Sequence, residues 1–464
     1  MRGMWTAAEV RAAEERAPVA ESVLMRRAAF GTATVALSML DGRRRVGLLV
    51  GAGNNGGDAL WAGYFLRRRG VRVYAVLLAP ERAHRAGLAA FRRAGGRVVD
   101  LLPEVDLVVD GIVGLSGRGG LRPDAVAHVE RVTAPILAVD LPSGLDADTG
   151  AASGRHVRAA VTVTFGCLKP VHALADCGDV RLVDIGLSVD SPYLSELTSA
   201  EIGALWPVPG RSSDKYTQGV TGVAAGSSVY PGAAVLATGA AVLGTSGMVR
   251  YAGAAAEAVR ARWPEAICTG SITDAGRVQA WVVGPGLGTG SSAEAALRTV
   301  LEAGVPVCVD ADAITLLATN PSLSDARDPA TPLVLTPHDR EFARLAGAVG
   351  DDRVGAARRA AARFDAVVLL KGHATVIAAP DGRTLVNRAG SSWAATAGSG
   401  DVLSGLIGAL LASGTDPLLA AAGAAHVHTL AADLAASGAP IPASSLLAAV
   451  PDAVRTVRAL VPSE

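Results

Sequence analysis

Three polar side chains interrupt a glycine-rich loop that follows an apolar run early in the chain. The segment VGLLVGAGNNGGDAL (46–60) contains GAGNNG, which matches the G-x-G-x-x-G pattern of dinucleotide-binding turns. A nicotinamide-binding Rossmann site also needs an acidic residue about 20 positions further on to hold the ribose. The next candidate strand, VRVYAVLL, ends at Ala79 and Pro80, and the nearest acid is Glu81. Hydride transfer by a dehydrogenase is therefore the weakest interpretation of this loop.

Asn54, Asn55 and Asp58 instead place polar atoms at the expected start of a helix. Other candidate strands end in a similar way, at Asp110 after DLVV and at Asp140 in AVDLPSGLD. The carboxyl ends of parallel strands meet at one crevice of a doubly wound sheet. Two carboxylates, an asparagine and a serine there could coordinate a hard cation through oxygen alone. The alternative is a plain strand-to-helix turn in which the Asn and Asp side chains cap the helix.

A second candidate site lies in NRAGSSWAATAGSGDVLSGLIGALLASG (387–414), where A-G-S-G-D opens an apolar helix. Backbone N–H groups at such a helix start bind anions, and Asp401 could take a proton from a hydroxyl that attacks a phosphate. Upstream, KGHATVI (371–377) places Lys371 at a strand end as a candidate nucleotide contact. The alternatives are an ordinary first-turn helix acid and a β-turn lysine. We expect His426 and His428 to be packing residues, because they are two positions apart.

The elements that must position these residues alternate between strands and helices. Residues 8–40 are helix-like, and the β-branched apolar runs VGLLV, VRVYAVLL, DLVVDGIVG, ILAVDLPSG and AAVTVTFG follow. A second series consists of GVTGVAAGSS, AWVVGPGLG, VPVCVDADA, PLVLTPH and AVVLLKGHATVIA, and ends in an Ala-rich helical region from Asp401 onward. Continuous apolar runs between helices predict parallel sheets buried on both faces. We expect two α/β domains, residues 1–200 and 201–464, with the boundary near 190–215.

Composition excludes several classes of function. The 464 residues carry a formal net charge of zero and only 4% aromatic residues, which argues against nucleic-acid binding. The four cysteines show neither zinc spacing nor a C-x-x-C pair, so we expect a reducing compartment. The uncharged stretch between Lys215 and Arg250 carries seven glycines and Pro231, which favours a buried helix over a membrane span. The charged N-terminus lacks the apolar core of a signal peptide.

In combination, N-N-G-G-D, V-D-G-I-V-G and A-V-D-L-P-S-G-L-D resemble the YjeF N-terminal domain, the NAD(P)H-hydrate epimerase family, over about residues 8–195. The family's usual N-N-G-G-D-G ends in Ala59 here, and its L-M-E-R-A-G reads L-M-R-R-A-A at 24–29. The resemblance implies a Rossmann-like parallel three-layer sandwich, a potassium ion bound by Asn55, Asp110 and Ser143, and Asp140 as the acid/base residue at the hydroxyl of hydrated nicotinamide. The substrate-binding residues that it implies are Asn54, Asn55, Gly56, Gly57, Asp58, Gly114, Leu115, Ser116, Gly117, Arg118, Gly119, Gly120 and Asp140.

The second half resembles the ribokinase-like carbohydrate-kinase domain, and more narrowly the ADP-dependent NAD(P)H-hydrate dehydratase, over about residues 200–460. T-P-H-D-R-E and T-A-G-S-G-D stand where that family commonly has T-P-H-P-G-E and T-G-G-S-G-D, and K-G-H-A-T matches its K-G-x-x-T. The resemblance implies that ADP phosphorylates the hydrate's hydroxyl, activated by Asp401, and that phosphate then leaves as the ring nitrogen pushes in. It implies hydrate contacts at Gly286, Thr336, Pro337, His338, Asp339, Arg340, Glu341 and Asp401, and ADP contacts at Lys371, Gly372, His373, Ala374, Thr375, Gly398, Ser399 and Gly400.

Both resemblances in one chain favour a two-step repair enzyme, an isomerase joined to a lyase, because the two activities act on the two epimers of one damaged cofactor. The expected substrates are NADHX and NADPHX, with a potassium ion and ADP, and with magnesium as a further candidate cofactor. We expect a cytoplasmic homo-oligomer that binds neither nucleic acid nor membrane. The alternative is a vitamin or sugar kinase fused to a non-catalytic Rossmann-like binding module. A kinase would release a stable phosphate ester, whereas a dehydratase releases free phosphate.

Overall fold

A computed structural model describes residues 1–117, 119–388 and 391–462. The chain divides into two compact units, Gly3–Leu194 and a second one made of Ser195–Glu464 with Met1–Arg2. Arg118, which the sequence places among the substrate-binding residues, lies outside the described part.

The first unit contains the six-residue strand that precedes the glycine-rich loop, the strand that ends one residue after Asp110, and the strand that ends just before Asp140. The chain begins with β1 (Arg2–Met4), whose first residue belongs to the second unit. The elements of the first unit are then, in chain order, α1 (Ala7–Glu15), α2 (Glu21–Leu40), β2 (Arg45–Val50), α3 (Gly53–Arg68), β3 (Arg72–Leu77), a 3-10 turn (Pro80–Arg82), α4 (Arg85–Arg93), β4 (Arg97–Val98), β5 (Leu107–Gly111), α5 (Pro123–Val129), β6 (Ile136–Val139), β7 (Val161–Phe165), α6 (Val171–Leu174) and β8 (Asp179–Val183).

The sheet of the first unit is parallel throughout, in the order β4-β3-β2-β5-β6-β7-β8. Its strands are covered on both faces. Leu48 and Val109 pack into one apolar cluster with α2 and α3, whereas Leu49 and Val108 pack into another with Ala125 of α5. This alternation confirms the predicted three-layer arrangement, since neighbouring strand residues point to opposite faces. The strand order reverses between β2 and β5, and such a switch point opens a crevice at their carboxyl ends.

The second unit has a longer sheet and a bundle of apolar helices. Its elements are β9 (Leu194–Glu196), α7 (Ser199–Leu205), β10 (Val220–Ala224), α8 (Pro231–Gly244), β11 (Met248–Ala252), α9 (Ala256–Arg262), β12 (Ile267–Thr269), β13 (Ala280–Val283), α10 (Ser291–Leu301), β14 (Val307–Val309), α11 (Asp312–Thr319), a 3-10 helix (Pro321–Ala326), β15 (Leu333–Leu335), α12 (Asp339–Ala346), α13 (Arg353–Phe364), β16 (Val367–Leu370), β17 (Ala374–Ala378), β18 (Thr384–Arg388), α14 (Ser399–Ala412), α15 (Pro417–Ala436) and α16 (Ala443–Arg458).

From β9 the sheet of this unit continues in the order β18-β17-β16-β15-β14-β13-β10-β11-β12. Its pairings are parallel except at β17, which runs antiparallel to both β16 and β18. The prediction of strands and helices holds at most positions, including a buried helix, α8, inside the uncharged stretch. The sequence analysis did not identify β11, β12 or β18. Two of these lie toward the ends of the sheet and carry exposed or polar positions such as Ile267 and Arg250, which weaken the apolar pattern.

Two helices, α2 and α15, are long and apolar enough to cross a membrane by length and composition. The apolar windows of these helices are 50% and 61% buried inside the structure, which is the pattern of core helices. Length and composition alone are weak evidence for a membrane span.

Candidate functional site

The glycine-rich loop leads into α3 without a capping side chain. Ala52 occupies the N-cap, and in the described part of the chain no side chain caps the first turn, so the capping interpretation of the Asn and Asp residues is wrong. Asn54 Nδ2 instead donates to Glu21 Oε1 at 2.6 Å. Asn55 Nδ2 and Asp58 Oδ1 are buried and have no hydrogen-bond partner among the described residues. Buried polar atoms of this kind are usually paired, so both atoms are available to a ligand.

A cavity of about 420 Å³ lies at the switch point of the first sheet. Of the residues that the sequence assigns to substrate, its wall includes Asn54, Asn55, Asp58, Gly114, Leu115, Ser116 and Asp140. Gly56, Gly57, Gly117, Gly119 and Gly120 are not part of this wall. Gly56 has a packing role, since a Cβ there would lie 2.3 Å from the carbonyl oxygen of Gly51. Seven of the residues that the sequence assigns to substrate thus line one cavity, whereas Gly56 packs against the loop and does not face that space.

Asp140 is held in an unusual backbone conformation beside a buried lysine. Its φ is +70°, a left-handed value that Asp adopts more readily than most residues. Lys169 Nζ lies 2.6 Å from Asp140 Oδ1, and Thr164 Oγ1 lies 3.1 Å from the same oxygen. Burial disfavours the charged carboxylate, but the Lys169 ammonium outweighs it, so the pKa of Asp140 lies below its usual range. Asp140 is therefore ionised at neutral pH, which is the form that can accept a proton.

Asp110 and Ser143 form a second buried polar pair in the first unit. Ser143 Oγ donates to Asp110 Oδ1 at 2.7 Å, and the backbone N–H groups of Ser143 and Ile112 donate to the same carboxylate at 2.9 and 3.1 Å. Burial raises the pKa of Asp110 to about 6 despite these hydrogen bonds. No basic side chain in the described part of the chain pairs with it. A buried carboxylate without a cation favours a bound positive charge.

Lys169, Thr164, His172 and Glu14 belong to this site but were not predicted from the sequence. Lys169 and Glu14 line the cavity directly. One signal was available for Lys169, because the chain has only three lysines and this one follows the candidate strand AAVTVTFG within five residues. Glu14 gave no signal, since it lies in a helix otherwise rich in exposed charges.

Substituting Gly114 tests whether the space in front of Asp140 is used. A Cβ there would lie 2.9 Å from Asn55 Oδ1 and 3.4 Å from Asp140 Oδ2. We expect Gly114→Ala to slow any reaction at Asp140 about 10²-fold, because a misplacement on the order of 1 Å near reacting atoms costs that much. Steady-state rates with the cavity's substrate measure this. Gly154→Ala is the matched control, because its Cβ would make one ordinary contact at 3.5 Å. Equal rates for both variants would show that this space is not used.

In the second unit, Asp401 lies in the first turn of α14. Gly398 caps this helix with φ +86°, a value that favours glycine. Ser399, Gly400 and Asp401 are the first three residues of the helix. Burial raises the pKa of Asp401 to about 7, and the neighbouring Asp310 carboxylate adds to the effect while Lys371 opposes it. A carboxyl group with this pKa exchanges protons readily at neutral pH.

Beside Asp401, a buried ion pair connects three strand ends with α14. Lys371 Nζ lies 2.8 Å from Asp310 Oδ1, and it lies 3.8 Å from Glu341 Oε2. Asp310 also accepts hydrogen bonds from Thr336 Oγ1 at 2.8 Å and Ser404 Oγ at 2.6 Å. The sequence analysis gave Asp310 no role, although this residue follows the candidate strand in VPVCVDADA. The hydrogen bonds from Thr336 and Ser404 hold the Asp310 carboxylate in place, and Asp310 in turn orients Lys371.

A cavity of about 510 Å³ lies beside the start of α14. Its wall includes the predicted nucleotide contacts Lys371, Gly372, His373, Thr375, Ser399 and Gly400, together with His338. Ala374, Gly398, Asp401, Gly286, Thr336, Pro337, Asp339, Arg340 and Glu341 are not part of this wall. Leu403 and Ala425 give one side of it an apolar surface.

His428 was expected to be a packing residue, and the structure places it in the wall of this cavity. Its Nε2 lies 2.9 Å from the carbonyl oxygen of Ser399, so this nitrogen carries the proton. Burial lowers the pKa of His428 to about 4, and the ring is neutral. His428 therefore fixes the backbone at the start of α14. The wall residue Asn387 was also missed, and its Nδ2 donates to Thr429 Oγ1 at 3.1 Å.

The segment Thr336–Glu341 is held by its own hydrogen bonds. His338 caps α12, since its Nδ1 accepts from the backbone N–H of Arg340 at 3.1 Å and its own backbone N–H donates to Glu341 Oε2 at 2.9 Å. Asp339 pairs with Arg353 at 2.7 Å. Gly286 has φ +61°, and a Cβ there would lie 2.8 Å from Ala233 Cβ. Within the described ranges, His, Cys, Asp and Glu side chains form no group of three that could hold a metal ion.

Two family models match the chain, one for each unit. The model described as YjeF-related protein N-terminus matches residues 21–171, and the model described as NAD(P)H-hydrate dehydratase matches residues 221–451. The chain is 58% identical over 450 residues to the bifunctional NAD(P)H-hydrate repair enzyme Nnr of Mycobacterium leprae, covering 94% of this chain and 95% of that protein. It is 35% identical over 474 residues to the enzyme of that name from Escherichia coli, covering 94% and 90%.

Solved structures resemble the second unit. The ADP/ATP-dependent NAD(P)H-hydrate dehydratase from Bacillus subtilis, co-crystallised with ATP and Mg²⁺, matches with a TM-score of 0.51 at 30% identity, covering 57% of this chain and 98% of that one. A ribokinase-like superfamily protein from Enterococcus faecalis matches with a TM-score of 0.52 at 24% identity, covering 58% and 98%. The second match concerns the fold, and it confirms the predicted ribokinase-like α/β architecture.

Proposed function

Since this chain belongs to the family of bifunctional NAD(P)H-hydrate repair enzymes, we propose that each of its two activities uses its own cleft and its own buried carboxylate. The enzyme is an isomerase and a lyase that act on hydrated nicotinamide nucleotides, NADHX and NADPHX. The observation that carries the proposal is the contrast between the two carboxylates. Asp140 is ionised by its contact with Lys169, whereas burial raises the pKa of Asp401 to about 7. The roles proposed for individual residues rest on this contrast and on the two cavities.

For epimerisation, Asp140 is the acid/base residue. Its Oδ2 takes the proton of the hydroxyl on the hydrated ring as a bond at that carbon opens, and it returns the proton as the centre re-forms on either face. Asn54, Asn55 and Asp58, with Gly114 to Ser116, line the space in which the ring lies. In this proposal, the remaining glycines, from Gly56 to Gly57 and from Gly117 to Gly120, shape the loops around the substrate.

A potassium ion would be held by Asn55, Asp110 and Ser143. The donor set fits, because it offers amide, carboxylate and hydroxyl oxygens, and Asp110 is a buried carboxylate without a basic partner among the described residues. The ion would supply positive charge near the substrate phosphates. The protein's own part is to hold the three oxygens in place, through the hydrogen bonds that Ser143 and Ile112 give to Asp110.

For dehydration, Asp401 takes the proton from the hydrate's hydroxyl as that oxygen attacks the terminal phosphorus of ADP and AMP leaves. Phosphate then departs from the ring carbon as the ring nitrogen pushes in, and loss of a proton from the neighbouring carbon restores the double bond. Lys371 to Thr375 and Gly398 to Gly400 bind the nucleotide, while Gly286 and Thr336 to Glu341 face the hydrate. Magnesium would be held by the nucleotide phosphates, because no acidic side chain lines the described wall of the 510 Å³ cavity.

A mixture of R and S hydrates tests these assignments in one assay. Dihydronicotinamide absorbance is followed with ADP or ATP, in potassium, sodium or tetramethylammonium at constant ionic strength. With ADP we expect a rapid phase that consumes the S form in every cation. A second phase, limited by R-to-S conversion, should be full only in potassium, because only that step uses the ion.

Pure S hydrate is the control, and its turnover should not respond to the cation. Equal second phases in all three cations would contradict the potassium assignment. Faster turnover with ATP than with ADP would show that ATP is the phosphoryl donor. A phosphate ester that accumulates without free phosphate would favour the kinase alternative. We place the enzyme in the cytoplasm as a homo-oligomer, as part of the same proposal.

A further inference from the structure

We propose that Lys169 is a positioning residue for epimerisation, whose ammonium group fixes Oδ1 of Asp140 so that Oδ2 alone faces the substrate. This inference rests on the proposed role of Asp140. Lys169 is 1% exposed, which is rare for a lysine and calls for a paired charge.

The hydrogen bonds of Lys169 account for all three of its ammonium protons. Its Nζ lies 2.6 Å from Asp140 Oδ1, 2.9 Å from Thr164 Oγ1 and 3.4 Å from the carbonyl oxygen of Phe165. An ammonium group has three donors, so no proton of Lys169 remains for the substrate. Lys169 thus acts through Asp140.

Thr164 and His172 complete the arrangement. Thr164 Oγ1 accepts from Lys169 and donates to Asp140 Oδ1, which closes a triangle of hydrogen bonds. The backbone N–H of Lys169 donates to His172 Nδ1 at 2.9 Å, so His172 Nε2 carries the proton and donates to the carbonyl oxygen of Asp140 at 2.8 Å. His172 therefore links the backbone of Lys169 to that of Asp140, whose left-handed φ needs such support.

The two carboxylate oxygens of Asp140 consequently have different surroundings. Oδ1 is bound by Lys169 and Thr164, whereas Oδ2 points toward Gly114, 3.4 Å from the position of a Cβ there. Asn55 Oδ1 lies 2.9 Å from the same position. Gly114 leaves this space open, and a hydroxyl group placed there would reach Oδ2.

Lys169 also keeps Asp140 charged among other acids. Among the described residues, the titratable groups near Asp140 are Asp58 on α3, Glu14 on α1, His172 on α6, the Cys167 thiol and Lys169 itself. Burial and the negative charge of Asp140 raise the pKa of Asp58 well above its usual value, and burial raises the pKa of Glu14. Without the lysine, burial would raise the pKa of Asp140 in the same direction.

Lys169→Met tests the inference, because methionine keeps the unbranched apolar stem and removes the charge and the donors. We expect kcat for R-to-S conversion to fall about 10²-fold near neutral pH, within the range of acid–base effects, with KM changed far less. The acidic limb of the pH–rate profile should move to higher pH, since Asp140 must be ionised to act. Activity should therefore recover in part as pH rises.

Two further variants separate charge from orientation. Thr164→Val keeps the ammonium and removes one hydrogen bond to Oδ1, so kcat should fall several-fold with the acidic limb unmoved. Lys169→Gln keeps donors without charge and should move that limb as Lys169→Met does. Lys215→Met is the matched control, because Lys215 is exposed and lies in the other unit. The circular dichroism spectrum and the thermal unfolding of each variant report whether the first unit is folded.

Asp140→Asn distinguishes an error in the inference about Lys169 from an error in the proposed role of Asp140. If Asp140→Asn is inactive in epimerisation and Lys169→Met has wild-type kcat and an unmoved acidic limb, the inference about Lys169 is wrong and the role of Asp140 stands. If Asp140→Asn retains epimerisation, the proposed function of Asp140 fails first. If Lys169→Met fails to fold, Thr164→Val still decides: unchanged kcat in that variant would overturn the anchoring of Oδ1.

Discussion

Asp401→Asn should lower dehydration of the S hydrate about 10³- to 10⁴-fold while leaving ADP binding nearly unchanged, because an amide cannot accept the hydroxyl proton and backbone N–H groups hold the phosphates. The wild-type rate should also depend on pH near neutrality. Burial raises the pKa of Asp401 to about 7, so the rate should fall as pH drops through that value and the carboxylate becomes protonated. Asp401→Asn should lose this dependence. Single-turnover rates and ADP titration by calorimetry measure the two effects.

Asp351→Asn is the control for this substitution, because Asp351 is exposed and precedes α13, outside both cavities. R-to-S conversion should continue at the wild-type rate in both variants. Unchanged dehydration by Asp401→Asn would remove Asp401 from the mechanism. A parallel loss of ADP affinity would make it a nucleotide-binding residue instead of the base.

Asp140→Asn should abolish R-to-S conversion, with a loss of at least about 10³-fold, and leave dehydration of pure S hydrate untouched. Asparagine suits this test because it tolerates a left-handed backbone nearly as well as aspartate, and the φ of residue 140 is +70°. The amide retains an acceptor oxygen for Lys169 but cannot take a proton. Chiral chromatography of the two hydrates measures the conversion directly.

Asp100→Asn, at an exposed position of the same unit, is the matched control. If S-hydrate turnover also collapsed in a folded Asp140→Asn variant, a separate site in each unit would be the wrong description. Loss of both activities with normal folding would indicate one shared reaction center.

Local patterns in the sequence predicted the existence of both clefts. The apolar strand, the loop GAGNNGGDAL and the polar strand end at Asp110 are contiguous features, and parallel sheets bring such strand ends together at a switch point. The start of α14 was equally visible, since A-G-S-G-D before an apolar run is a local signal for an anion-binding helix start. Each of these inferences depends on residues a few positions apart or on a general rule of sheet topology.

The partners of the reactive carboxylates were decided by tertiary structure. Lys169 reaches Asp140 across 29 positions, and Ser404 and Lys371 reach Asp310 across 94 and 61. No periodicity encodes such contacts, because they depend on how adjacent strands and helices pack. Sequence by itself therefore determined the two α/β units, their loops and the candidate carboxylates Asp140 and Asp401. Only the fold decided which carboxylate is paired with a lysine and which is not, since burial and charge at a side chain come from neighbours distant along the chain.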